Sequence, residues 1–450
     1  MTDSHAHLDF PQFDKDRDDI IESGFDGGLE AVVNIGVDLE TSRRSIALAE
    51  KYERIYATVG VHPHDSGEVS GNYIEQLESM AGHVKVVAIG EIGLDYYRDR
   101  SPRDKQRETF AKQLALAKKL DKPVVVHIRE AMEDALKIIK DSGLNKGVLH
   151  SFPGDEAEAK EAIEIGFHIS FAGPVTYPKS DRPRVAKSLP LRSILTETDS
   201  PYLTPQAFRG KRNKPEYVRF VIEKLAELFS PYTFGDIERI TSRNARRLFD
   251  IPGDKEPRIV YKIRNSLYIN LTNRCSCNCY FCPRNAGDGY VGGHYLLLTR
   301  EPSADDVLAK IEHQTDFSEV VFCGLGEPTL RLKELLRIAA SLKAKGHSIR
   351  LNTNGHGSLL NKTDVPSILS GLVDKVSVSL NASDADTYIR ICKPDRGQDA
   401  YDAMLDFVKG CVKMNIPTDV SIVELPEIDI DCCRKLAIEL GANFRLRRHR

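Results

Sequence analysis

The sequence predicts an α/β protein built as two barrels in series: a (β/α)8 barrel of the TIM type, then a partial (β/α)6 barrel. Three observations carry this. Short β-branched runs alternate with longer amphipathic stretches along the chain, the pattern of βα units in parallel sheets. The 450 residues exceed what one hydrophobic core usually serves. A charged stretch punctuated by proline and glycine, PGDKEPRIVYKIRNS at Pro252–Ser266, separates the two series of repeats.

Eight strands are predicted before that stretch: Thr2–His7, Ala31–Ile35, Ile55–His62, Val86–Leu94, Pro123–Ile128, Gly147–Ser151, His168–Ala172 and Ser193–Thr198. Eight strands in roughly 250 residues suit a closed barrel. A helix-rich stretch ending in SRNARRLFDI completes it, so the first domain is read as residues 1–251 and the linker as 252–266. Six strands follow in the second domain, 267–450: Leu267–Leu271, Glu319–Cys323, Ser348–Asn352, Lys375–Leu380, Thr418–Val423 and Asn443–Arg447. Six repeats make an open or partial barrel. The linker is too short and too mixed for a long flexible tether.

Composition narrows the function classes. Hydrophobic residues at 41% and charged residues at 29% fit an ordered globular chain. A net charge of -3 supplies no global positive field, so any nucleic-acid contact rests on local patches. No run of about 18 apolar residues predicts a membrane span. The start, MTDSHAHLDF, lacks the basic and apolar segments of a secretory signal, which points to the cytoplasm. All nine cysteines lie at or after Cys275, which argues against a disulfide framework.

Polar outliers mark the first site. His5 and His7 sit two apart on the first strand and so share a face. Glu91 lies in the fourth strand, His127 ends the fifth, His150 the sixth, and Asp199 follows the eighth. These are C-terminal strand ends, where such barrels carry chemistry. Four imidazoles and two carboxylates suit two divalent cations (magnesium, manganese or zinc), with Glu91 as the simplest bridge. A two-metal site can activate water and clamp both oxygens of a phosphodiester displacement. Arg209, Lys211, Arg212 and Lys214 form a basic run after the eighth strand. It reads either as a phosphate contact or as a solvated loop.

DSHAHLD, VGVHPH, GEIGLDYY, QRETFAKQLALAKKLDKPVVVHIREA, LHSF, ETDSPYL, RGKRNKPEYV and NARRLF together resemble the TatD family of metal-dependent deoxyribonucleases over residues 1–250. The resemblance implies that His5, His7, Glu91, His127, His150 and Asp199 hold the metals and that Glu91 and Asp199 are catalytic. It places His62 and His64, which match the family's HPH, in the pocket against substrate. It implies nuclease activity on DNA or a nucleotide-like substrate. Related barrels cleave other esters and amides, so the fold alone does not select the substrate.

The second site begins at CSCNCYFC. Cys275, Cys279 and Cys282 have C-x3-C-x2-C spacing directly after a predicted strand. Three thiolates can hold three irons of a cubane and leave the fourth open; zinc, with Cys277 as a fourth thiolate, also fits this loop. CGLGEP, LNTNG and VSVSLNA then end successive strands. In this order behind the cysteine loop they resemble the radical SAM superfamily over Leu267–Arg450. The resemblance implies a 4Fe–4S cluster on Cys275, Cys279 and Cys282, with Cys277 spare. S-adenosylmethionine would bind the open iron and be cleaved reductively to a 5′-deoxyadenosyl radical. Phe281 is implied near its adenine and Glu327 on its amino group. Gly324 and Gly326 allow close backbone approach, while Asn354, Ser379 and Asn381 are further contacts. The electron donor would be a flavodoxin or ferredoxin.

The sequence thus predicts a bifunctional cytoplasmic enzyme with no membrane partner. Two alternatives keep the fold: a first barrel that cleaves amides or other esters, or one that only binds substrate for the radical domain.

Overall fold

A computed structural model describes residues 1–69, 71–253, 255–285 and 288–447. The chain divides into two compact units, Met1–Gly253 and Asp254–Arg450.

The first unit is a parallel barrel. Its strands are β1 (Thr2–Ala6), β2 (Ala31–Asn34), β3 (Ile55–Val59), β4 (Val86–Asp95), β5 (Val124–Arg129), β6 (Gly147–Leu149), β7 (Phe167–Phe171) and β8 (Ile194–Thr196). They hydrogen-bond in chain order. The seam between β8 and β1 closes beyond the end of β8, through a parallel bridge of Ala6 with Ser200. Asp199 N donates to His5 O at 2.9 Å and His7 N to Ser200 O at 2.8 Å. The closing hydrogen bonds therefore run through residues at the mouth.

Strand alternation separates two apolar faces. Ala6, Leu8, Val124 and Val126 pack outward with helix residues such as Phe110 and Leu114. Val33, Ile35, Val125, Val148 and Leu195 form a separate buried cluster. Val125 and Val148 are two residues before His127 and His150, so they line the face that carries those imidazoles. The helix Phe234–Leu248 brings Leu248 and Phe249 into the same cluster. It starts at a capping box, in which Thr233 Oγ1 accepts from Asp236 N and the Asp236 carboxylate accepts from Thr233 N.

The second unit is an open sheet. Its strands are β9 (Val260–Ile263), β10 (Ser266–Ile269), the small pair β11 (Tyr290–Val291) and β12 (His294–Tyr295), then β13 (Glu319–Phe322), β14 (Ile349–Thr353), β15 (Lys375–Ser379), β16 (Thr418–Val423) and β17 (Asn443–Arg447). The main sheet runs β17-β16-β15-β14-β13-β10-β9, parallel except where β9 meets β10. All the predicted strands are present, Thr418–Val423 and Asn443–Arg447 with the same ends and the others with shifted ones. One expectation is corrected: the linker reaches less far than Pro252–Ser266, because Val260–Ile263 is an edge strand. Ile263 pairs with Ser266 across a tight turn at Arg264 and Asn265. Tyr261 anchors the strand, stacked on Tyr268 at 5.2 Å and donating its hydroxyl to Cys323 O at 2.9 Å. Lys262 and Arg264 hid that alternation in the sequence. No helix among the described residues is long and apolar enough to cross a membrane.

Phe249 is 1% exposed beneath the strand cluster. Its truncation leaves a cavity that the barrel cannot close, so Phe249→Ala is expected to cost about 3–5 kcal/mol. Calorimetry is expected to show a lower transition for the first unit and an unchanged one for the second.

Candidate active sites

The mouth of the first barrel gathers the six residues singled out in the sequence. Glu91 Oε2 lies 3.5 Å from His5 Nε2 and 3.7 Å from His7 Nε2. Asp199 Oδ1 lies 3.5 and 3.3 Å from the same two nitrogens, which face each other at 3.2 Å. The other oxygen of Glu91, Oε1, lies 3.0 Å from His127 Nδ1, 3.1 Å from His150 Nε2 and 3.5 Å from His62 Nε2. His127 Nδ1 and His150 Nε2 are 3.2 Å apart.

These spacings fit divalent cations. Ligands at tetrahedral positions around such an ion stand about 3.3–3.6 Å from one another. Two facing ring nitrogens either share one proton in a hydrogen bond or turn both lone pairs on a cation between them. Glu91, one oxygen in each set, is placed to bridge. Groups of potential ligands within 4.8 Å of one another include His5–His7–Glu91, His5–His150–Asp199 and His62–Glu91–His127.

The carboxylates and imidazoles set one another's protonation: against burial, the facing carboxylates raise His7, His127 and His150. Burial opposes ionisation of Glu91, but His150 and His62 lead the surrounding imidazoles in holding its carboxyl well below the usual range. Burial pushes His62 down to about 4. Burial, aided by His150, also lowers His5. Both stay neutral, the form that binds metal.

His62 and His64 separate in role. His62 stands beside Glu91, whereas His64 Nε2 meets Asp95 Oδ2 at 2.8 Å. Asp95 also faces His127 Nε2 at 3.4 Å. Glu197 Oε1 lies 3.4 Å from His150 Nδ1 and accepts from Ser151 N at 2.7 Å. Asp3 holds the barrel seam, accepting from Thr198 Oγ1 at 2.6 Å and Thr198 N at 2.9 Å. Sequence reasoning passed over these three carboxylates. Asp95 and Glu197 stand behind the His127 and His150 imidazoles, each at 3.4 Å, and their signal was their place inside GLDYY and ETDSPYL. The basic run is largely spent: Arg212 pairs with Asp16 at 2.6 Å and Lys214 with Glu216 at 2.8 Å.

In the second unit the cysteine loop is tied down at several points. Asn278 N donates to Cys392 O, Asp395 N to Ser276 O, Arg284 Nη2 to Cys277 O and Asn285 Nδ2 to Cys279 O. Cys275, Cys279 and Cys282 are half-buried and free. Cys277 is buried, with His356 Nδ1 at 4.0 Å and the Tyr388 hydroxyl at 3.8 Å. Its thiol also touches those of Cys275 and Cys279. Behind it runs a buried chain: Ser276 Oγ meets His356 Nδ1 at 2.9 Å, and His356 Nε2 meets the Tyr388 hydroxyl at 2.9 Å. The Cys275 thiol is pushed up, first by Cys277 and then by burial. A set of soft sulfur donors held on one loop fits an iron–sulfur cluster, whose irons would neutralise the thiolates.

Of the other expected contacts, Asn354 and Glu327 meet this loop directly. Asn354 Nδ2 donates to Ser276 Oγ at 2.9 Å and lies 3.8 Å from Cys275 Sγ. Glu327 is buried: Oε1 accepts from Thr329 N, Thr329 Oγ1 and Thr353 Oγ1, and Oε2 from Asn354 N at 2.7 Å. A Cβ on Gly324 would meet Asn270 Oδ1 at 2.0 Å, and one on Gly326 would meet Thr272 O at 2.4 Å. Both glycines therefore admit the neighbouring strand's backbone and side chain. Asn381 Nδ2 reaches Cys392 Sγ at 3.5 Å. Ser379 pairs in register with Ser421, and Phe281 packs at the edge of the second core.

Comparison with known proteins places both units. The model of the family "TatD related DNase" matches residues 2–250, and that of the "Radical SAM superfamily" matches residues 269–437. A Bacillus subtilis protein named "Uncharacterized metal-dependent hydrolase YabD" is 43% identical over 254 residues, 56% of this chain and 99% of that one. The Escherichia coli TatD homologue YjjV, of known crystal structure, is 34% identical with a TM-score of 0.54, over 56% of this chain and 98% of that one. A TatD-family hydrolase from Entamoeba histolytica shares the fold at 23% identity and a TM-score of 0.51, over 55% of this chain and 97% of that one. The chain belongs to the TatD family of metal-dependent hydrolases, and in it the hydrolase domain is fused to a radical SAM domain.

Proposed function

We propose that the first unit is a two-metal phosphoester hydrolase acting on DNA or a nucleotide-like substrate, and that the second cleaves S-adenosylmethionine on a 4Fe–4S cluster. The observation that carries the first half is the division of Glu91, one oxygen toward His5 and His7, the other toward His127 and His150. Divalent cations held there would supply Lewis acidity toward a phosphoryl oxygen and acidify water. Asp199 completes the His5–His7 set, and His62 stands beside the His127–His150 set. Asp95 and Glu197 fix the rotation of His127 and His150 from behind. His64 stands on Asp95, the carboxylate that also faces His127.

In the second unit Cys275, Cys279 and Cys282 are assigned to the cluster. The cluster and S-adenosylmethionine, given an electron from a donor such as flavodoxin or ferredoxin, would supply hydrogen-abstracting radical chemistry. Glu327 Oε2 has one protein donor and so retains capacity for an ammonium group. Asn354 ties the Glu327 loop to the cysteine loop. Ser379 and Asn381 close the far side, and Phe281 offers an apolar ring beside Cys282. Ser276, His356 and Tyr388 brace the loop from inside, which leaves Cys277 as a filler that ligates nothing.

Two predictions test this. Glu91→Ala is expected to lose metal-dependent hydrolysis of a model phosphodiester by at least about a hundredfold, with iron content unchanged. Wild-type turnover in that variant contradicts the bridge, and amide cleavage without phosphodiester cleavage contradicts the substrate class. For the second unit, Cys277→Ser is expected to keep the cluster's absorption spectrum and reductive cleavage of S-adenosylmethionine. Cys275→Ala, Cys279→Ala and Cys282→Ala are each expected to lose the cleavage. Loss of iron on Cys277→Ser, with retention in Cys275→Ala, contradicts the ligand register.

A further inference from the structure

β5 does not stop at His127; it continues to Arg129, whose Cα pairs with that of Asp95 at the end of β4. Two residues past a metal-facing imidazole, Arg129 extends the same strand face outward beyond the barrel. Its guanidinium lies over the Tyr97 ring, with Cζ 3.9 Å from the centroid. Arg98 Cζ lies 5.6 Å from the same centroid. Tyr97 is 52% exposed, so this ring is not a core residue that happens to touch two arginines.

The charges there are unspent. Arg17 pairs with Asp14, Arg212 with Asp16 and Arg246 with Glu30, but among the described residues neither Arg98 nor Arg129 has an ion pair or side-chain hydrogen bond. Asp95, the nearest buried carboxylate in sequence, is engaged elsewhere. Its Oδ1 accepts from Tyr97 N at 3.0 Å and Arg98 N at 2.7 Å, while Oδ2 meets His64 Nε2 at 2.8 Å. One carboxylate thus fixes the loop that carries Tyr97 and Arg98, and on its other oxygen faces a proposed metal-binding imidazole, His127.

We infer that Arg129 and Arg98, with Tyr97 as the platform that positions Arg129, form an anion subsite beside the His62–Glu91–His127 set. A guanidinium held over a ring keeps its edge N–H groups free to fork onto phosphate oxygens. The ligand is a phosphate of a polynucleotide next to the one cleaved. Such a subsite orients a strand across the mouth, and it explains how a chain of net charge -3 holds a polyanion. In the basic run at Arg209–Lys214, Arg212 and Lys214 are already paired, and Arg209 and Lys211 lie over Tyr177 and Phe208. This inference rests on the phosphoester reading of the same barrel.

The test is fluorescence anisotropy of the full chain with a fluorescein-labelled, phosphorothioate-linked oligothymidylate, which reads binding without turnover. Arg129→Gln is expected to weaken binding at least about tenfold. The dependence of log affinity on log salt is expected to become shallower by about 0.7, the share of one phosphate contact on a single strand. Arg129→Lys is expected to keep the wild-type salt slope while binding more weakly, since an ammonium retains the charge and loses the fork. Arg98→Gln, at an exposed position, is expected to shift both readouts in the same direction as Arg129→Gln. It serves if that variant loses its bound divalent metal on elemental analysis. Unchanged affinity and slope in both glutamine variants overturns the subsite, as does a wild-type chain that does not bind the oligomer. Hydrolysis of the ordinary phosphodiester oligothymidylate is measured separately. Turnover with unchanged variant binding removes the subsite alone. Variant-sensitive binding without wild-type turnover removes the hydrolase reading and leaves the subsite.

Discussion

The first barrel is organised around one buried carboxylate. Glu91 is 3% exposed and stands within 3.7 Å of five imidazoles, those of His5, His7, His62, His127 and His150. Among the described residues no lysine or arginine pairs with it. Burying a charge on those terms is costly unless cations or donors compensate. Several features of the fold follow. β4 is long and shifts register against β5 between Ile89 and Ile92, which brings both Glu91 and Asp95 to the mouth. The seam of the barrel closes through His5, His7 and Asp199 rather than through a strand ladder. Folding the barrel and assembling the donor set are therefore the same event.

The second unit uses a buried carboxylate differently. Glu327 accepts four hydrogen bonds from Thr329, Thr353 and Asn354, so most of its acceptor capacity holds two loops together. Burial still raises its carboxyl above the ordinary value, against those donors. The Ser276–His356–Tyr388 chain then fixes the inner side of the cysteine loop, with His356 pushed down to about 4 by burial and so kept neutral. Those hydrogen bonds hold the loop that carries the sulfur donors.

Much of this was legible in the sequence, and what was not has physical causes. Strands buried on both faces read as apolar β-branched runs, so every barrel strand was located, and histidines at the ends of such runs stood out. Asp95 and Glu197 did not, because each acts through an imidazole from another strand, and the pairing exists only once the sheet curls. β9 was taken for linker because Lys262 interrupts a short edge strand and the charged Arg264 follows it directly. The glycines of CGLGEP were read as allowing close backbone approach, and the neighbours that approach Gly324 and Gly326, Asn270 and Thr272, were not legible before the strands paired. The pairing of Arg212 was equally out of reach, since Asp16 is remote in sequence.

The central claim is that Glu91 bridges two cations. Anomalous diffraction from crystals of the protein grown with manganese tests it most directly. The account predicts two peaks about 3.5–4 Å apart, one beside His5 and His7 and the other beside His127 and His150, with Glu91 touching both. A single peak, or two peaks of which one lies out of reach of Glu91, would contradict it.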